Sequence, residues 1–311
     1  MISFRYHVVT IVAVFLALGV GVLIGTTVVK QSLIDQLQSK ANHAVTTARQ
    51  LDAEITHLSS ELNAQARFIQ AIEPALVKDQ LTGTQVVIVT MDGVDPSEVD
   101  GVRTALDDSG ASVVAAIVAT TRMALTDPSA RTELAALVGA PVTLSPRELS
   151  QRAGSAIGAR LTGGAPPSPR PDLLQQLAND GFLAVRAGSV PDVAHVGGAD
   201  QSIVLLSGSA TTRSSIDPSA FLTPLVTTVL QRDPARPVVA AETTQAVSPF
   251  VASVRGDPAL DSHLVTVDNA DTVEGQVAVV LGLHTLQLSP GSGGDYGVNC
   301  GSCAPVPSPV P

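Results

Sequence analysis

Cys300-Gly301-Ser302-Cys303 is the one reactive-looking motif in a 311-residue chain that has no other cysteine. A C-x-x-C loop can hold a soft metal ion through two thiolates, close a disulfide, or exchange one. Redox motifs open a helix, whose N-terminus lowers the thiolate pKa; the flanks here are Gly-Val-Asn and Ala-Pro-Val. Two thiolates also fall short of the ligand set of a closed zinc site. A simple disulfide is the favoured state of Cys300 and Cys303, with soft-metal binding as the alternative. A second candidate is the turn Met91-Asp92-Gly93-Val94-Asp95, followed by Glu98. Asp92 and Asp95 could face a hard cation at a strand end, although a turn aspartate and a helix cap are the plainer reading. The turn has no G-x-G-x-x-G or Walker pattern, and its negative charge would repel phosphate. His7, His43, His57, His195, His263 and His284 show no H-x-x-x-H pairing, and Ser207-Gly208-Ser209 lacks the G-x-S-x-G elbow. No Ser-His-Asp or Cys-His set can be assembled, so the expectation is a protein that is not an enzyme.

The elements that must position these residues are short and aliphatic. Gln85–Met91, Ala111–Thr120, Phe182–Arg186, Ile203–Ser207 and Val238–Ala241 are β-branched, nearly continuous apolar runs, and Leu264–Val267 is a weaker sixth. Runs apolar on both faces fit parallel strands covered by helices. Helical stretches alternate with them: Pro96–Asp108, Ser129–Val138, Pro146–Leu161, Pro171–Asp180, Pro218–Arg232 and Asp271–Leu286. Asp95, Ser145 and Asp217 each precede a proline and are suited to cap those helices. The alternation predicts a doubly wound, mainly parallel α/β domain over 77–288. Gly163–Pro171, GGAPPSPRP, is a candidate internal boundary. The Gly/Pro-rich stretch 289–311 has little capacity for a core and is expected to be a disordered tail.

Two further segments precede that domain. Val8–Val29 is a run of 22 uncharged residues between His7 and Lys30. As a helix it spans about 33 Å, enough to cross a bilayer. It is longer than a signal-peptide core and lacks a good cleavage site or a following cysteine, so 1–30 is read as an uncleaved transmembrane anchor. Ala17, Gly21 and Gly25 lie four apart on one face, a spacing that lets two helices approach closely in lipid. Arg5 before the span, with no acid, favours a cytoplasmic N-terminus and an extracytoplasmic bulk. From 31 to 76 the apolar spacing becomes three-four: Ile34, Leu37, Ala41, Ala44, Ala48, Leu51, Ile55, Leu58, Leu62, Gln65, Ile69 and Ile72. Gln65 is the one polar position in this seam, which predicts a coiled-coil stalk that self-associates and ends or kinks at Pro74.

Composition bounds the partners. Eighteen basic against 28 acidic residues give a net charge of −10, which argues against nucleic acid and against a polybasic membrane patch. Hydrophobic residues make up 45% and charged ones 15%, and the anchor and the doubly buried strands absorb that apolar excess.

The start Met1-Ile2-Ser3-Phe4-Arg5-Tyr6-His7, followed by Ala13 through Gly25 (AVFLALGVGVLIG), closely resembles the mycobacterial copper transport protein B family. Gly294-Asp295-Tyr296-Gly297 is similar to the short tail of that family, which has a histidine where this chain has Asp295. The resemblance implies a membrane protein of copper homeostasis or efflux, described in the family as channel-forming in the outer envelope. It implies copper as the transported or bound ion, with no other cofactor. One membrane helix cannot enclose a pore, so a channel would need a homo-oligomer or other inserted segments. Thr10 is the only polar residue before Thr26 in the span, so no ion path is evident there. The alternatives are a non-transporting oligomeric membrane scaffold and a ligand-sensing α/β domain.

Overall fold

The computed structural model describes residues 4–167, 169, 171–188, 193–209, 213–301 and 303–307. Met1–Ser3 of the N-terminal motif, Ser302 of the cysteine loop and the tail beyond Pro307 lie outside the described residues, as does the side chain of the seam residue Ile34. The chain divides into two compact units, Met1–Ala66 and Arg67–Pro311.

A helix, α1, runs from Phe4 to Val77 and includes both the apolar span and the three-four repeat. No glycine or proline interrupts the repeat before Pro74, and long polar side chains between the apolar positions sustain helix. Pro74 does not end the helix. It lies in the last turns, where Lys78 N still donates to Pro74 O at 3.1 Å and Asp79, at φ 64°, finishes the segment. Leu37, Leu51, Ile55, Leu58 and Leu62 are all exposed along it. By contrast Val77 at its end is fully buried, in the core of the second unit.

The second unit is α/β. Its seven strands are β1 (Gln85–Met91), β2 (Ser112–Ala119), β3 (Leu183–Ala187), β4 (Gln201–Ser207), β5 (Val238–Glu242), β6 (Val265–Val267) and β7 (Gly294–Tyr296). They lie in the order β3-β2-β1-β4-β5-β6-β7, the doubly wound pattern in which the chain reverses direction between β1 and β4. All neighbouring pairs are parallel except β2 with β3, which is antiparallel from Ala115↔Ala187 to Ala119↔Leu183. Alternate side chains of each strand enter opposite cores. Val87, Val89 and Met91 join one, while Val86 and Ile88 join the other.

Helices α2 (Pro96–Asp108) and α9 (Val273–Leu288) cover the second of these faces. The first is covered by α3 (Pro128–Leu137), α4 (Pro146–Gly163), α5 (Leu173–Asn179), α6 (Pro218–Arg232), α7 (Val251–Arg255) and α8 (Pro258–Asp261). The expected caps form. Asp95 accepts from Ser97 N, Asp217 from Ser219 N, and Ser145 with Glu148 closes a reciprocal capping box. Asp127, Asp172 and Asp257 cap α3, α5 and α8 in the same way. The loop at 163–171 lies inside this one unit, because α4 before it packs on α6 beyond it. That contact depends on glycine. A Cβ at Gly154 would stand 2.2 Å from Phe221 O, and one at Gly158 would stand 2.5 Å from Leu225 O.

Part of the Gly/Pro-rich tail pairs with the sheet. Residues 294–296 form β7, paired with β6 from Val265↔Gly294 to Val267↔Tyr296, and Tyr296 bridges Ala304. Low apolar content does not prevent this pairing, because an edge strand needs hydrogen bonds on one side only, and β6 supplies them.

Candidate functional site

The acidic turn after β1 sits at the switch point where doubly wound sheets usually bind ligands. Here the two aspartates already have structural partners. Asp92 accepts from Ser215 Oγ at 3.0 Å, and Asp95 accepts from Ser97 N at 2.9 Å and Oγ at 2.7 Å. Those two bonds hold the Asp95 carboxyl below its ordinary range. Glu98 behaves oppositely. Burial, reinforced by the nearby charges of Asp271 and Asp95, pushes it up to about 7. Its Oε2 is buried without a hydrogen-bond partner. Asp271 is itself held by Thr244 N at 2.7 Å and Thr244 Oγ1 at 2.8 Å. The three acids singled out in the sequence therefore do not converge on one point. The crevice above them, between Gly93, Val94, Gly208, Ser214 and Ser248, encloses only about 10 Å³. That is room for about one water molecule, and the crevice adjoins an open groove of about 390 Å³ lined by Arg213, Ser214, Asp217, Pro218 and Ser248. Among the described residues no group of three or more His, Cys, Asp or Glu is placed to hold a metal ion.

The cysteine motif lies at the other side of the same sheet end, against β6 and β7. Cys300 and Cys303 are joined by a disulfide, with their Cα atoms 5.4 Å apart, and Cys303 N donates to Cys300 O at 3.3 Å. Both cysteines are partly exposed. The loop that carries them is tied to the sheet by groups that sequence reasoning missed. Asp268, which follows β6 and is almost fully buried, accepts from Val298 N at 2.6 Å and Asn299 N at 3.1 Å through Oδ1. Its other oxygen pairs with Arg255 Nη1 at 2.6 Å. Arg255 also donates through Nε to Thr266 Oγ1 at 2.7 Å and through Nη2 to Tyr296 O at 2.9 Å. Thr266 Oγ1 in turn donates to Asp295 Oδ1 at 2.5 Å, and Asp295 lies 3.1 Å from Arg255 Nε. Asp295, on the edge strand, is thus an ion-pair partner of Arg255 in α7.

Two more contacts complete the clamp. Asn299 Nδ2 donates to Thr244 O at 2.6 Å, and Gly297 N donates to Ala304 O at 3.1 Å. Gly297 is required: its φ is 125°, and a Cβ there would fall 2.1 Å from Asp268 Oδ1. The available signal was the polar run Asp268-Asn269 directly after an apolar strand, since buried polar groups at a strand end must have partners.

In the first unit the apolar stretch Tyr6–Gly25, 20 residues, is long and apolar enough to cross a membrane. Thr10 Oγ1 donates to Tyr6 O at 2.6 Å, so the hydroxyl is satisfied within the helix. Ala17, Gly21 and Gly25 are exposed, and Cβ atoms added at Gly21 and Gly25 would meet nothing within 4 Å. Their face is open to a close neighbour.

Comparison with known proteins covers nearly the whole chain. The family model described as "Copper transport outer membrane protein, MctB" matches residues 1–307. "Copper transporter MctB" of Mycobacterium leprae (strain TN) is 27% identical over 324 aligned positions, covering 97% of this chain and 98% of the relative. The proteins of the same name from Mycobacterium tuberculosis (strain ATCC 25618 / H37Rv) and Mycobacterium bovis (strain ATCC BAA-935 / AF2122/97) are 25% identical over the same spans. These names describe transport rather than catalysis. With the match running from the apolar span through the α/β unit to the clamped tail, this chain belongs to the copper transport outer membrane protein family, MctB.

Proposed function

We propose that the protein is a single-pass envelope protein of copper homeostasis that takes part in copper efflux as a homo-oligomer. The observation that carries this reading is the family match over residues 1–307, in a chain whose only span-length helix among the described residues is Tyr6–Gly25. The span anchors the chain in the bilayer with its N-terminus in the cytoplasm. The heptad segment forms a stalk, and the α/β unit and tail stand outside. The Cys300–Cys303 disulfide supports that side, since such bonds persist in oxidising compartments. Leu51, Ile55, Leu58 and Leu62, exposed at three-four spacing, support self-association.

One span whose only polar residue between His7 and Thr26 is Thr10 cannot conduct alone, so transport requires several chains or further inserted segments. Full-length protein reconstituted in liposomes should release entrapped copper and should elute as an oligomer in detergent. Copper retained as in empty liposomes, from an oligomeric preparation, would leave the second reading. In that reading the protein is a non-transporting scaffold that gathers other envelope proteins, and the same exposed heptad face and apolar span favour it.

A further inference from the structure

We infer that the Cys300–Cys303 loop is a redox-gated Cu(I) site, closed as the disulfide and open as the dithiol, and the choice of metal rests on the copper reading above. The ties that hold the loop do not use sulfur. Val298 N and Asn299 N bond Asp268 Oδ1, Asn299 Nδ2 bonds Thr244 O, and Gly297 N bonds Ala304 O beyond the second cysteine. Asp268 is fixed from behind by Arg255. Both flanks of the loop therefore stay docked when the sulfur–sulfur bond breaks, and the two thiols remain near each other. Holding ligands in place before the metal arrives removes ordering cost from binding.

Both cysteines are partly exposed, so a small thiol can reach the bond. Two equivalents of a low-molecular-weight thiol donate two electrons. The first thiolate attacks one sulfur to give a mixed disulfide, and the second releases it as the oxidised small disulfide. Cys300 and Cys303 each take up a proton. One Cu(I) then binds both sulfurs and displaces those two protons. The ligand set selects the ion. Two thiolates are soft ligands, and no third His, Cys, Asp or Glu is grouped with them among the described residues. A closed tetrahedral zinc site needs four protein ligands, whereas Cu(I) accepts two.

The test uses full-length protein in detergent, either oxidised or reduced anaerobically by a monothiol that is then removed, titrated with Cu(I) against a chromogenic Cu(I) chelator. The reduced chain should hold one Cu(I) at least tenfold more tightly than the oxidised chain, and the Cys300→Ser/Cys303→Ser variant should match the oxidised chain. Equal retention by reduced and oxidised protein, or by the reduced parent and that variant, overturns the site. Asn299→Ala keeps both sulfurs but cuts one tie, and should weaken reduced-state affinity about fivefold at unchanged stoichiometry. Hydrogen exchange at the Val298 and Asn299 amides should stay slow after reduction; fast exchange would overturn the preformed loop. The two readings fail separately. Copper release from liposomes with equal Cu(I) retention in both redox states removes the site alone, and tight dithiol binding without release removes the transport reading alone.

Discussion

The two units of this chain use the same aliphatic residues in opposite ways. In residues 67–311 Leu205, Leu225 and Val265 are completely buried, whereas in residues 1–66 Leu16, Ile55 and Leu62 are each more than 60% exposed. The α/β unit supplies its own cover, with helices over both faces of the sheet. The helix of the first unit has none among its own residues. Fully burying one such side chain contributes about 1.5–3 kcal/mol. On the proposed function, lipid would supply that cover for the span and further copies would supply it for the heptads. Folding of the α/β unit should therefore depend on its own core, and the first unit on membrane and concentration.

The largest effect should come from the self-covered unit. Phe221 is completely buried on α6, where its backbone carbonyl meets Gly154 of α4. Phe221→Ala should lower the unfolding free energy by about 3–5 kcal/mol, through lost burial and the cavity left behind. Denaturation followed by circular dichroism would measure it, and the oligomeric state of the folded protein should not change. A loss below about 1 kcal/mol would mean that this core is looser than its packing implies.

The next contrast is with lipid. Leu16 lies near the middle of Tyr6–Gly25 and is exposed. Leu16→Arg should cost about 2.5–3.5 kcal/mol of membrane insertion. Fractionation should show the variant chain shifted out of the membrane, while the melting of the α/β unit stays unchanged. Retention in the membrane at the parent level would detach the span from anchoring.

A smaller effect is expected in the heptads. Leu58→Ala should weaken association by about 2 kcal/mol per chain, a roughly 30-fold shift in the midpoint for each chain affected. Sedimentation across a concentration series checks it. Lys40→Ala, away from the seam, serves as the control. Identical behaviour of parent and Leu58→Ala would leave the exposed seam without a partner copy.

The same division explains what could be read from the sequence. The β1 and α6 limits and the caps at Asp95, Ser145 and Asp217 were legible, because doubly buried strands and Asp-Pro or Ser-Pro starts are local signals. The direction of β3 was not, since an apolar run of five residues is the same in either orientation. Nor was β7, whose Gly-Asp-Tyr has no apolar pattern and depends on Arg255 and Asp268, which arrive from α7 and from the end of β6. The candidate site divides likewise. Cys300 and Cys303 announce themselves by spacing, but the clamp that fixes their loop joins residues more than 40 positions apart, from Arg255 to Asn299. The turn acids looked like one cluster along the chain, yet Asp92, Asp95 and Glu98 leave in different directions to separate partners or to none.

Glu98 carries the smallest effect and sharpens the comparison furthest, because only a unit that covers itself can trap an acid. Its carboxyl is raised to about 7, first by burial and then by Asp271 and Asp95. In the unfolded chain it titrates near the ordinary glutamate value of 4.5. Below that pH both states hold the proton, and this group does not penalise folding. Between 4.5 and about 7 the unfolded chain releases its proton while the folded chain keeps it, so stability falls as pH rises across that window. Above it the cost is constant. Glu98→Gln removes the titration, so the variant should match the parent at pH 4 and exceed it at pH 8. With Glu98 only half-buried and screened by solvent, the gain should be about 1 kcal/mol. Unfolding free energies of both proteins, measured every half pH unit, give the curve. A difference that is flat with pH, or that grows towards acid, would show that Glu98 reaches solvent and that the cover over this end of the sheet is incomplete.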